Sequence, residues 1–486
     1  MHKILSGFKF GREKGPKSKQ LTLRVDQSSN DGLKFFTLPN EIFDLIFLLA
    51  RNQYLIPTSR SLTTFPIELT ISHVCQLWRS ISLDYPLLWD NFRYVIPKYK
   101  FVRAKHRFAS YIERSRSHPL DIWFNFRADH GNARYNDHTE MFTMLLSQAD
   151  RWRRVTFLVD GIPPFLHLLK EVHPANLEHF AVLPQQADYA TYTPGLFIPS
   201  IFTSGALQLK SVRLTTTTHG VFLPPLSNIT TFRIEKPSCF SQFIRISLSE
   251  IIALLTISSL ENLSISDIQF QDSFRDGNFK IIIMERLQDL RCGSEDIAQI
   301  LPYIQAPCLH SLTLKEVKFP VLDTNSAPEL TNLILLDCEA PWPAFSDELS
   351  IVASRITHLT VSENSKGTFR LHSPTIFRTP HSWSKLRTLS FNLQFLSYVD
   401  RYLELALSLP VDQPLTVRVH QNLLDTWNES TPDLLPHVDG LCKFQGWDLD
   451  SSTNPLVPWH WPYAENSLEH PYDSSDYDSF RVTSYH

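Results

Sequence analysis

The phrase LENLSI at residues 260–265 returns as LQDLRC at 287–292, LHSLTL at 309–314, LTNLIL at 330–335, ITHLTV at 356–361 and LRTLSF at 386–391. Each has the form apolar-x-x-apolar-x-apolar, with leucine fourth: Leu263, Leu290, Leu312, Leu333, Leu359 and Leu389. Successive starts lie 27, 22, 21, 26 and 30 residues apart, and two phrases share an Ala-Pro lead-in, from Ala306 and Ala327. With 43% apolar residues the bare pattern arises by chance several times in 486 residues, so the ordering and spacing carry the reading. On an extended backbone alternate residues share a face. The last two apolar residues of each phrase therefore point together, and the first leucine packs from the turn before. Stacking such strands in parallel buries one continuous core, and steps of 20–30 residues fit a repeat architecture.

Working upstream, looser versions of the phrase occur as WRRVTF from Trp152, LEHFAV from Leu177, LKSVRL from Leu209 and ITTFRI from Ile229. The expected fold class is thus α/β, with an irregular leucine-rich solenoid, a curved parallel sheet, over residues 151–420. An ordinary mixed α/β domain with leucine-rich strands is the alternative. In the solenoid the intervening residues line an exposed inner surface. They include Arg154, Arg213, Arg233 and Arg291 with Ser264, Thr313, Thr360 and Ser390. Arginines gathered on such a face favour an acidic or phosphorylated partner through bidentate pairing.

Ahead of the repeats the periodicity is helical. In LPNEIFDLIFLLA, residues 38–50, Ile42, Leu45, Ile46 and Leu49 fall on one helix face. Pro39 suits the first turn and Glu41 complements the positive end of the dipole. In residues 71–92, Ile71, Val74, Cys75, Trp78 and Ile81 repeat the spacing as one helix, which Asp84, Tyr85 and Pro86 end before Leu87, Leu88 and Trp89. A unit of about 50–60 residues is marginal alone, so it either packs on the following domain or holds a partner. Residues 99–116 and 139–149 read as further helices, with PLDIWFNF between them as a strand.

Composition narrows the classes. Forty-six basic and 50 acidic residues give a net charge of −4, with no global argument for nucleic acid or an anionic membrane. Glycine is scarce at 14 against 32 prolines, which disfavours phosphate-cradling enzymes. The six cysteines (Cys75, Cys239, Cys292, Cys308, Cys338 and Cys442) form no C-x-x-C pair and read as reduced thiols. The longest aliphatic run, residues 251–260, is half a membrane span, and the N-terminus lacks a secretory h-region, so a soluble protein of the cytoplasm or nucleus is expected. Sequons at Asn228, Asn262 and Asn428 then carry no glycan. Residues 1–33 are a basic flexible tail and residues 451–486 an acidic, aromatic one.

No phosphate loop, dinucleotide fingerprint, zinc-protease or hydrolase motif occurs. His130 and His138 with Asp129 and Asp137 read as a solvated loop rather than a metal site, and His358 with Cys338 as strand residues rather than a base–nucleophile pair. WHW at 459–461 reads as part of a docked tail. No catalytic residue, metal or cofactor is expected.

Leu38-Pro39-x-Glu41-Ile42, then Val74-Cys75-x-x-Trp78-Arg79, then Leu88-Trp89, closely resembles the F-box motif. The continuation through YIERSRSHPLDIWF and LLSQADRWRRVTF is similar to F-box proteins of mushroom-forming fungi, whose motif precedes irregular leucine-rich repeats. The chain departs from that pattern at residues 51–70, which lengthen the connection after the first helix. The resemblance implies a helical F-box domain at 34–95, a helical linker at 96–150, the repeats at 151–420 and a C-terminal cap and tail at 421–486. It implies a substrate-receptor subunit of a Skp–cullin–F-box ubiquitin ligase. Leu38, Pro39, Ile42, Ile46, Val74, Cys75, Trp78 and Trp89 would form or support the adaptor-facing surface, and the repeats would hold a protein substrate. A leucine-rich-repeat scaffold outside any ligase is the alternative.

Overall fold

Each leucine phrase becomes a strand that starts two residues after the first apolar residue. The computed structural model describes residues 38–55, 66–95, 101–126, 135–159, 163–184, 199–215, 222–235, 244–271, 280–317, 326–338, 352–363, 383–393, 415–430, 442–447 and 480. They open with helices α1 (Asn40–Leu55), α2 (Ile67–Ser72) and α3 (Gln76–Asp84). Then come β1 (Asn91–Val95), α4 (Phe101–Arg114), β2 (Leu120–Asn125), α5 (Tyr135–Leu146), β3 (Trp152–Val159) and β4 (His179–Pro184). The middle holds β5 (Ser211–Thr215), β6 (Thr231–Glu235), β7 (Ile244–Ile246), α6 (Leu248–Leu255), β8 (Asn262–Ser266), β9 (Ile268–Phe270) and β10 (Ile282–Ile283). It continues with β11 (Asp289–Gly293), α7 (Glu295–Ile300), β12 (Ile304–Gln305), β13 (Ser311–Lys315) and β14 (Asn332–Leu336). Last are β15 (His358–Glu363), β16 (Thr388–Leu393), β17 (Leu415–His420), α8 (Gln421–Ser430) and β18 (Cys442–Trp447).

The architecture is mixed α/β around a large parallel sheet. Fourteen strands lie in chain order, β1 to β6, then β8, β11 and β13 to β18, while β7 with β9 and β10 with β12 form small parallel pairs in the connections. Leu263, Leu290, Leu312, Leu333, Leu359 and Leu389 stand in register as one ladder across six strands. All six are buried, at 3% exposure or less. A turn delivers the first apolar residue of each phrase: the N–H groups of Leu260, Leu287, Leu309, Leu330, Ile356 and Leu386 each bond the carbonyl three residues earlier. Strands β8, β13 and β14 are followed directly by Asp267, Glu316 and Asp337, whose φ angles are 57°, 52° and 52°. In that left-handed conformation each N–H reaches a carbonyl at the end of the next strand. Toward the other edge the core beside the sheet is rich in aromatic rings. Phe92 lies 4.6 Å from Phe108 between ring centroids, and Phe108 lies 5.2 Å from Phe124.

Three expectations change. The single helix expected from Ile71 to the break at Asp84 is two helices, because Cys75 is extended (φ −156°, ψ 173°) and its Sγ accepts the Trp78 N–H at 3.4 Å. Thiol capping of an orphan N–H starts α3 afresh. Residues 96–150 hold the two expected helices, but their strand β2 belongs to the main sheet, which therefore starts before residue 151 and continues past 420 to β18. On the sheet face opposite the core Ser264, Thr313, Thr360 and Ser390 are buried too, at 0%, 1%, 6% and 2% exposure, while His358 on that face is exposed. Parallel sheets of α/β proteins are commonly closed on both faces. Residues 1–33, the WHW at 459–461 and residues 56–65 of the 51–70 insert lie outside the described residues.

Candidate functional site

Helix α1 carries aromatic side chains on one side and aliphatic ones on another. Phe43 and Phe47 turn inward, at 0% and 1% exposure, and meet the half-buried Trp78 at centroid distances of 6.2 and 5.1 Å. The inner side is tied to the sheet by charge as well. Arg51 Nη1 donates to Asp90 Oδ1 at 2.6 Å and to the Leu87 carbonyl. Tyr111 Oη donates to the Glu68 carboxylate, joining α2 to α4. Arg153 grips Asp121 with two bonds of 2.8 and 2.7 Å and stands 3.9 Å from Asp90. Burial pushes Asp90 up to about 6, although Arg51 pulls the other way. Burial likewise raises Glu68 against the bond from Tyr111.

The outer side has no such cover. Ile42, Leu45 and Leu49 are 40%, 56% and 61% exposed, and Val74, in the turn between α2 and α3, is 55% exposed. With Leu83 on α3 they make five of the nine large apolar side chains that the described residues leave exposed. Such clustering within three short helices marks an interaction surface more than scattered exposed leucines would. Its surroundings are acidic. The Asp44 carboxyl is raised by burial and then by its acidic neighbours Glu41 and Asp84.

Of the eight residues named for adaptor contact, Pro39, Ile42 and Val74 are exposed, and Leu38, Ile46, Cys75 and Trp78 are half-buried. Trp89 is different. At 0% exposure it lies under the surface, its Nε1 donating to the Ser82 carbonyl at 2.7 Å, with Tyr111 edge-on at 5.1 Å and Arg114 4.3 Å above it. It supports the helices from beneath and touches no partner. Leu45 and Leu49 join the surface instead. The helical stripe contained both, but only the inward turn of Phe43 and Phe47 shows which side faces out.

The second candidate surface corrects an expectation. Arg213, Arg233, Ser264, Arg291 and Thr313 do share one register row. Arg154 shares the face but sits in the adjoining row, paired with His179. Yet Arg213, Arg233 and Arg291 are only 1%, 0% and 1% exposed, and only Arg154 is half-buried. Arg233 is bound bidentately by Glu235 at 3.0 and 2.9 Å, Arg213 stands 3.7 Å from the same carboxylate, and Ser264 donates to it. A carboxylate this enclosed holds its arginines as internal structure. These three side chains are therefore not an open anion-binding surface.

No model of a protein family matches this chain, and no curated protein matches it. Function has to be read from the surfaces themselves. Of the remaining candidates for chemistry, His130 and Asp129 lie outside the described residues. Burial pushes the Cys292 and Cys338 thiols up to about 12. Cys338 donates to the Leu314 carbonyl at 3.2 Å, while the exposed His358 bonds Thr357 Oγ1 through Nδ1 at 2.7 Å, so the two are not a base–nucleophile pair. His138 packs against Phe126 at 5.2 Å. Among the described residues no cluster of three His, Cys, Asp or Glu side chains has the arrangement to hold a metal ion, and no helix is long and apolar enough to cross a membrane.

Proposed function

We propose that the chain is a non-catalytic, protein-binding subunit. Helices α1 to α3 are an F-box that docks a Skp-family adaptor and through it a cullin. The sheet is an irregular leucine-rich solenoid that holds a protein substrate for ubiquitin transfer in the cytoplasm or nucleus. One observation carries the reading. The same helix that seals Phe43 and Phe47 inside the molecule leaves Ile42, Leu45 and Leu49 in water, with Val74 beside α2 and α3. Aliphatic side chains kept exposed on a rigidly anchored helix suit a partner that covers them, and the LPNEI and VCQLW motifs resemble the F-box at this place. The acidic surroundings of Asp44 favour a partner whose facing rim is basic. The subunit's contribution is proximity, since holding a substrate raises its effective concentration near a ubiquitin-charged enzyme.

A scaffold outside any ligase is the second reading. The Arg51–Asp90 and Glu68–Tyr111 pairs favour it, because they fix the helices as a cap on the first sheet strands. Co-expression of the full chain with a Skp-family adaptor from a mushroom-forming fungus separates the two. The ligase reading expects a stable one-to-one complex on size exclusion; an adaptor that elutes alone supports the scaffold.

A further inference from the structure

The sheet face opposite the core is sealed along its middle and opens at its last strands. From Arg213 on β5 to Ser390 on β16, the middle row of that face is buried at 6% exposure or less. Phe480 helps to close it: its ring lies 4.2 Å beneath the Arg291 guanidinium, and a Cβ added at Gly293 would stand 3.2 Å from its Cζ. The same row then continues with Arg418, half-buried, and Gln445, exposed. The adjoining row, nearer the amino ends of the strands, is open here as well. His358, Thr388, Thr416 and Lys443 stand in register across β15 to β18, the first and last exposed and the two threonines half-buried. Arg387, next to Thr388, and Lys385 in the turn before it are also exposed.

The charge of this rim is nearly all of one sign, in a chain whose net charge is −4. The only acidic residue in β15 to β18 is Glu363, the last of β15. Among the described residues no carboxylate pairs with Lys385, Arg387 or Lys443. Earlier along the same row the residues are neutral or acidic: Asn262, Asp289, Ser311 and Asn332 on β8 to β14. Beside them His310 faces Glu329 at 3.6 Å. The basic stretch is therefore local. Adjacent strands lie about 4.8 Å apart, so His358 to Lys443 spans roughly 14 Å, the length of about four extended residues. Its cations stand on separate strands, which suits carboxylates spaced along a segment; a single phosphate takes converging guanidiniums. We infer that the amino-end rim of β15 to β18 docks an acidic, extended peptide segment of a partner protein, laid across the strands over Thr388 and Thr416. Complementary charge steers such a segment and fixes its register. The inference deepens the reading of the sheet as the protein-binding part and uses the sheet alone, so its failure leaves the helical docking surface untouched.

The test follows by fluorescence anisotropy a labelled peptide of about ten residues, alternating glutamate with serine, as the full-length chain is added. A peptide with glutamine for every glutamate is the control. The glutamate peptide is expected to bind, and its affinity to fall as salt rises from about 0.05 to about 0.3 M. Arg387→Glu with Lys443→Glu should weaken it on the order of tenfold, and Arg387→Gln with Lys443→Gln less but in the same direction. Lys280→Glu with Arg286→Glu makes the same charge change at exposed positions on either side of β10 and should leave binding as in the wild type. All four positions are exposed, so urea midpoints stay within those of surface substitutions. No preference for glutamate over glutamine, or equal losses in the two charge-reversed pairs, overturns the inference. So does tighter binding of a single-stranded RNA of equal charge, which makes the rim a general polyanion site.

Discussion

Truncating the exposed side of α1, by Leu45→Ala with Leu49→Ala, separates partner contact from folding. The two side chains are 56% and 61% exposed, so between them they leave a little more than one whole leucine in water. Fully burying a leucine stabilises by about 1.5–3 kcal/mol. A partner that covers both should lose about 2–3 kcal/mol of affinity, or roughly 30- to 150-fold, on their truncation. The isolated chain should change by no more than about 0.5 kcal/mol, because the sites are at the surface and alanine is the best helix former. The contrast is Phe47→Ala, which empties a site at 1% exposure beside Trp78 and should cost about 3–5 kcal/mol of stability. Calorimetric titration with a Skp-family adaptor reads the first quantity and urea unfolding of the chain alone reads the second. Adaptor affinity within threefold of wild type refutes the reasoning. A fall of more than about 1 kcal/mol in the double variant's own stability refutes it as well, by showing that the stripe is interior.

Three further outcomes test the interior. Asp90 has its folded pKa raised to about 6, so the fold favours the protonated form. The stability this group contributes is fully present below about pH 4 and is lost as pH rises through 6, by at most on the order of 3 kcal/mol. Urea midpoints measured from pH 4 to 7 should therefore fall less steeply in Asp90→Asn than in the wild type. Glu235→Ala takes away the carboxylate held by Arg233 and faced by Arg213, and should cost about 3–5 kcal/mol in the same assay. Replacing all three together, Arg213→Met and Arg233→Met with Glu235→Leu, should recover most of that loss. The Cys292 and Cys338 thiols, pushed up to about 12, hold almost no thiolate at pH 8. Iodoacetamide should label neither before unfolding, as read by peptide mass spectrometry.

The strand ladder was legible because its signal is repetitive: one leucine position fixed six strands and their mutual register. The helix break at Cys75 was not, since Val74 and Cys75 keep the helical spacing and only a thiol cap interrupts it. Strand β2 was readable as a strand but not as a member of the main sheet, because LDIWFN lacks the leucine phrase that marks the strands it joins. The row of Arg213, Arg233 and Arg291 was placed on its face correctly by alternation. Its burial was invisible, since alternation says which side a residue takes and nothing about what covers that side. Phe480 is the extreme case. A lone phenylalanine in an acidic run gives no sign that it meets a glycine 187 positions earlier.

The main sheet has one more property, which follows from its strand order. Every strand in it pairs only with the strand before it and the strand after it. Among the described residues no strand of this sheet pairs with one further along the array, so its hydrogen-bonded growth is additive: each new strand finds its template already laid down. During synthesis the emerging chain can extend the array from its amino end without waiting for the rest.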